Sequence, residues 1–113
     1  MPIRQLTVEE LARMRAAGEP LLLVDVRQPW ENETAALPDS LLIPLNELDD
    51  RCSEVSAAAR ARAGALVVAY CHHGVRSLSA AAILASHDVQ PVASLAGGID
   101  AWSLRIDPSV RRY

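Results

Sequence analysis

The sequence predicts an α/β protein built on a mainly parallel sheet, and three observations carry that prediction. Two apolar runs, LLLVDV at 21–26 and ALVVAYC at 65–71, are each bounded by polar or turn residues. A strand covered on one face alternates in polarity, so a near-continuous apolar strand is covered on both. Helix-forming stretches rich in Ala, Leu, Glu and Arg separate these runs, and strands that alternate with helices pair in parallel.

Taken in order, Thr7 ahead of Glu9 and Glu10 reads as a helix N-terminus, with a hydroxyl to cap the first free amides and acidic side chains at the positive end of the dipole. Leu11 and Met14 are expected to face inward, and Gly18 and Pro20 to end the helix. The 21–26 run is the first buried strand. SLLIPL, around 40–45, is expected to be a short strand ended by Pro44, which lacks the amide a ladder needs. Residues 46–63 read as one or two helices, and 65–71 as the second buried strand. Ser77 to His87 is expected to be a helix with Ser77 as its N-cap. PVASL, 91–95, reads as another short strand, and GGIDAWSLRI opens a last helix with Gly97 and Gly98 at the turn. Trp30 and Trp102 are assigned to the core, because a chain without Phe needs large apolar side chains there.

At 113 residues, half of them apolar, the chain is expected to form one domain over 1–113. A net charge of -3 gives no basic footprint, which sets nucleic acid aside as a partner. All eleven cationic side chains are Arg, so Schiff-base chemistry through Lys is excluded. No run approaches the ~18 apolar residues that span a bilayer, and the first residues do not read as a secretory signal. Two cysteines without a Cys-x-x-Cys do not make a disulfide framework or a zinc ribbon. The expectation is a cytoplasmic protein without a membrane partner.

The chemistry concentrates in YCHHGVRSLSAA, 70–81. Ligands in parallel sheets bind off the carboxyl ends of strands; Cys71 sits at one such end, Asp25 and Arg27 at another. After Cys71 the chain passes His72, His73, Gly74 and Val75 to Arg76 and a helix beginning near Ser77. Amides of a bend that leads into a helix N-terminus converge on one point and stabilise an anion there. A sulfur at that point favours its thiolate, the nucleophilic form. Arg76 adds a cation suited to an oxyanion. The competing reading is an inert core cysteine beside an ordinary turn.

CHHGVRS resembles the active-site loop of single-domain rhodanese-like sulfurtransferases. LLLVDVRQPWE, 21–31, is similar to that family's Asp-Val-Arg segment with its following Glu, and LPDSLLIPLNEL, 37–48, to the segment His-Ile-Pro-Gly-Ala-x-x-Ile-Pro. LAGGIDAW, 95–102, is similar to the Gly-Gly-x-x-Ala-Trp ending, and IDPSVRRY to tails of bacterial members. The resemblance implies a three-layer rhodanese-like domain with about five parallel strands and helices on both faces. It implies sulfur transfer: Cys71 attacks the outer sulfur of thiosulfate or another small donor, carries a persulfide held by the amides of residues 72–76, and passes the sulfur to cyanide, a thiol or a sulfur-relay protein. Neither a cofactor nor a metal is implied. Ala36 and Asp39 stand where the family carries His and Gly.

Two rivals remain in the sequence. Cysteine-dependent phosphatases and arsenate reductases share the strand, Cys, Gly-containing loop and Arg, but their loops read Cys-x5-Arg. Four residues separate Cys71 from Arg76 here, which suits one sulfur better than a phosphoryl group. The other rival is a catalytically silent rhodanese-like binding module. His72 and His73 could hold a metal with Cys71, but adjacent side chains are expected to point apart, and lining the loop mouth is the preferred role. Asp25 and Arg27 are placed either as a structural pair or at the substrate mouth, with a weaker case for Glu31. Cys52 lies among acidic residues, which raise a thiol pKa and make it a poor nucleophile.

Overall fold

The computed structural model describes residues 3–113. Five strands and five helices alternate: β1 (Gln5–Leu6), α1 (Val8–Ala16), β2 (Leu21–Asp25), α2 (Pro29–Thr34), β3 (Leu41–Leu42), α3 (Leu45–Arg60), β4 (Leu66–Tyr70), α4 (Val75–Ser86), β5 (Val92–Leu95) and α5 (Gly98–Arg105). The strands form one sheet in the order β1-β5-β4-β2-β3, with every pair parallel.

The apolar runs become the centre of this sheet, since β2 and β4 pair from Leu21 with Leu66 to Asp25 with Tyr70. Successive side chains of a strand point to opposite faces, so each run feeds two cores. Leu22, Val24, Val67 and Ala69 pack under α3 and α4 with Leu48, Val55 and Leu84. Leu23, Leu66 and Val68 pack under α1 and α5 with Leu11, Ile99 and Trp102. Each buried Leu or Val contributes roughly 1.5–3 kcal/mol of transfer free energy.

Thr7 caps α1 as expected. Its hydroxyl accepts from the Glu10 amide at 3.1 Å while Glu10 accepts from the Thr7 amide at 3.0 Å, a reciprocal box. Other boundaries differ from the sequence reading. The strand expected at 40–45 shrinks to Leu41–Leu42, and Pro44 becomes the N-cap of a single helix, α3, because its fixed φ suits helix entry. The cap of α4 is Gly74 and not Ser77, three residues earlier, and the helix begins at Val75. Two elements went unassigned: β1, too short to show a period, and α2, where Pro29 fills the first helical position and Glu31 accepts from the Gln28 amide at 3.1 Å. Trp102 is buried, but Trp30 is 60 % exposed. Adjacent residues of a helix point about 100° apart. α2 turns Glu31 inward, so Trp30 faces out.

The connections place the site. After β2 the chain moves to β3 at one edge, and after β4 it moves toward β5 on the other side. The carboxyl ends of β2 and β4 therefore flank the point where strand order reverses, the crevice in which α/β sheets bind ligands. No helix among the described residues is long and apolar enough to cross a membrane.

Candidate active site

Cys71 follows the last residue of β4 and is buried, with 1 % of its surface exposed. Its Sγ accepts from the Gly74 amide at 3.1 Å and the Ser77 amide at 3.4 Å. The Ser77 hydroxyl lies 3.5 Å from the same sulfur and 2.7 Å from the Ser94 hydroxyl. The bend and first turn of α4 thus aim two main-chain donors at one sulfur, the arrangement that stabilises an anion. A surface cleft of about 400 Å³ lined by Arg15, Leu23, Pro38 and Arg62 shares no residue with this loop. Chemistry, and not concavity, locates the candidate site.

A second helix supports the loop from behind. The Ile99 amide donates to the Cys71 carbonyl at 2.9 Å and the Asp100 amide to the His72 carbonyl at 3.1 Å. The N-terminus of α5 therefore takes up the loop's carbonyls while that of α4 serves its sulfur. This needs glycine at two places. Gly74 turns at φ 101, where an added Cβ would meet the Gly97 nitrogen at 3.0 Å. At Gly98, φ 61, a Cβ would collide with the carbonyl oxygens of Cys71 and His72. Gly98→Ala is expected to lower stability by about 2–3 kcal/mol through left-handed strain and the clash. It should also slow reaction at Cys71 at least tenfold; alkylation kinetics of the thiol beside a urea melt read both effects.

Three ion pairs frame the loop. Asp25 and Arg27, both fully buried, share contacts of 2.8 Å from Nε to Oδ1 and from Nη2 to Oδ2. Arg27 also donates to the Ala35 carbonyl at 2.6 Å and to the Tyr113 hydroxyl at 2.9 Å. It points into the segment after β2 and its guanidinium is enclosed, so the structural half of the Asp25/Arg27 alternative describes its surroundings. Arg76 reaches across from α4 to Glu31 on α2, fork to fork, at 2.6 and 2.8 Å. At Arg76, expected as a cation suited to an oxyanion, both terminal Nη groups hold a carboxylate while the side chain stays 36% exposed. The third pair, Arg112 with Asp100, closes at 2.9 Å.

The Arg76 fork holds the Glu31 carboxyl down at about 2, well below its ordinary 4.5, with help from the Tyr113 hydroxyl at 2.7 Å. A depressed acid stabilises the fold fully above its unfolded value and loses that contribution as pH falls through the folded one. The stability difference between wild type and Glu31→Gln is therefore expected to be constant above about pH 5 and to close between about pH 4.5 and 2. Thermal melts of both proteins across that range test it; a gap that persists at pH 2 would contradict the pairing.

His72 and His73 were expected to point apart, and they do not. Their rings stack at 4.0 Å, and the Tyr113 ring lies on His72 at 3.9 Å and 8°. Burial pushes the His72 pKa down, toward the neutral ring, and its Nε2 is enclosed without a hydrogen-bond partner. Cys52 is buried in α3, not set in a polar surface; its thiol donates to the Leu48 carbonyl at 3.2 Å, and burial first, then Asp49, pushes its pKa up. Asp39 takes a left-handed φ of 60, a conformation that Asp tolerates better than most non-glycine residues. Tyr70 fixes the same segment, accepting from the Leu37 amide at 3.2 Å and donating to Ser40 at 2.8 Å. Sequence reasoning missed Ser94 and Tyr113. A polar residue inside the buried strand PVASL was a usable signal for Ser94; nothing local pointed to Tyr113.

The family model for the rhodanese-like domain matches residues 7–105. A sulfurtransferase of Allochromatium vinosum is 35% identical over 101 residues, 89% of either chain. The Arabidopsis thaliana Rhodanese-like/PpiC domain-containing protein 12, chloroplastic, is 32% identical over 99% of this chain, which spans 38% of that protein's length. Among solved structures, the human single-domain sulfurtransferase TSTD1 superposes with a TM-score of 0.74 at 25% identity, covering 93% of this chain and 97% of its own.

Proposed function

This chain belongs to the rhodanese-like domain family, and on that premise we propose that it is a sulfurtransferase working through a persulfide on Cys71. The observation that carries the proposal is the Cys71 sulfur at the carboxyl end of β4 with the Gly74 and Ser77 amides directed at it. The thiolate attacks the outer sulfur of a donor such as thiosulfate. The new S–S bond forms as the donor's bond breaks, and sulfite leaves with the electron pair. A thiol, cyanide or the cysteine of a sulfur-relay protein then attacks the outer sulfur of the persulfide and returns the Cys71 thiolate. Amides in the first turn of α4, those of Val75 and Arg76 among them, have no intrahelical acceptor and are available to the outer sulfur.

In this reading Arg76 and Glu31 are positioning residues: their pair ties α2 to α4 and fixes the start of the helix that feeds the sulfur. Asp25 and Arg27 do the same for the segment after β2. His72 and His73 line the mouth, and no metal or cofactor takes part. The unit is one domain over 1–113, acting in the cytoplasm. The test is intact-mass spectrometry after incubation with a sulfane-sulfur donor. One added sulfur atom, mapped to Cys71 and removed by a reducing thiol, is the expected result. A phosphate adduct, or turnover of an aryl phosphate, would overturn the proposal in favour of a phosphatase.

A further inference from the structure

The charges around Cys71 are already matched among themselves. Arg27 is closed on Asp25, Arg76 on Glu31 and Arg112 on Asp100. His73 lies 3.8 Å from Asp100, so it too has an acid beside it. The Ile99 and Asp100 amides are spent on loop carbonyls, and those of Gly74 and Ser77 on the nucleophile itself. Each guanidinium that this network brings to the loop therefore comes with its own carboxylate. A small inorganic dianion entering here gives up its water without gaining an unpaired side-chain cation, which is unfavourable.

The rim offers something else. Trp30 is 60 % exposed and meets the edge of Tyr113 at 5.8 Å. Tyr113, His72 and His73 continue as a stack, and Val75, at the start of α4, is 75 % exposed. Aromatic and apolar side chains grouped beside the loop that carries Cys71 gain by covering organic surface, not sulfonate oxygens.

Resting on the sulfur-transfer reading of Cys71, we infer that the donor this site takes is a persulfide carried on an uncharged organic group, in preference to thiosulfate. In the step, the Cys71 thiolate attacks the terminal sulfur of R–S–SH and a bond forms between Sγ and that sulfur. The donor's S–S bond breaks and its electron pair leaves on R–S⁻, which takes up a proton. No outside oxidant or reductant enters.

The experiment measures single-turnover loading of Cys71 by mass spectrometry with two probes, thiosulfate and benzyl persulfide generated in place. Each rate is divided by that of the same donor with a free low-molecular-weight thiolate, which removes intrinsic reactivity. The expected normalised preference for benzyl persulfide is about 30-fold, the scale of one missing charge-assisted contact. Val75→Arg, which adds an uncommitted cation at the rim, should raise thiosulfate loading about fivefold. Trp30→Ala should lower benzyl persulfide loading by a similar factor, about fivefold. Equal normalised rates for the two donors, or a Val75→Arg protein no better with thiosulfate, would overturn this inference and leave sulfur transfer standing. A folded protein that loads from neither donor would overturn both.

Discussion

Cys71→Ser is expected to abolish sulfur transfer, by more than about a thousandfold, while leaving the fold in place. A serine hydroxyl fits the same space and accepts from the same two amides, those of Gly74 and Ser77, so the packing around β4 and α4 has no reason to change. What disappears is the sulfur nucleophile, the atom that can carry a second sulfur. The matched control is Cys52→Ser. That thiol is also buried, but it donates to the Leu48 carbonyl inside α3, burial holds it in the protonated form, and no amide is aimed at it. Serine can donate to the same carbonyl, so activity is expected to stay within about twofold and stability within about 1 kcal/mol. Steady-state sulfur transfer to cyanide and single-turnover loading together read the contrast. Equal loss in both variants would remove Cys71 from its assigned role.

The largest expected effect on stability belongs to Asp25→Ala. The Asp25 carboxylate accepts from the Arg27 amide at 3.0 Å, from the Arg27 guanidinium twice at 2.8 Å, and from Asn32 at 3.0 Å. Neither Asp25 nor Arg27 has any exposed side-chain surface. Removing the acid strands an enclosed guanidinium, because arginine cannot shed its proton to relieve the desolvation. Breaking a buried pair in this way costs about 3–5 kcal/mol, a large part of the 5–15 kcal/mol typical of a whole domain. The urea midpoint should fall accordingly. Asp25→Asn, which keeps acceptor and shape, should lose less. The effect should reach the site as well, since Arg27 also holds the Ala35 carbonyl and the Tyr113 hydroxyl that bridges to Glu31. An Asp25→Ala loss below about 1 kcal/mol would mean the pair orients the segment after β2 without supporting the fold.

These two predictions rest on features of different legibility. Cys71 was visible because its signal is local: strand, cysteine, glycine and helix start follow one another within a few residues, and the backbone of a strand-to-helix bend does the rest. The Asp25 and Arg27 pair was visible as residues but not as a relation, since only the closed segment after β2 determines which way a buried guanidinium points. Arg76 was likewise visible as a residue but not as a relation. Its place in the loop suggested an open cation, and the acid that occupies it, Glu31, lies 45 residues earlier on another strand's exit. Trp30 misled because composition says that large apolar side chains belong inside, whereas one short helix chose Glu31 for its inner face.

By itself, then, the order of residues determined the layered architecture, the central strands, the capped first helix and the cysteine at a strand end. Each depends on hydrophobic period, backbone preference or contacts a few residues apart, and these act before the chain is closed. Only the tertiary structure decided which charges find each other, that the start of α5 holds the cysteine loop from behind, and that Tyr113 stacks on His72. Those contacts join segments distant in the chain. Their partners are selected by the position of β2 beside β4 and of β5 beyond it, and no local pattern of side chains encodes that adjacency.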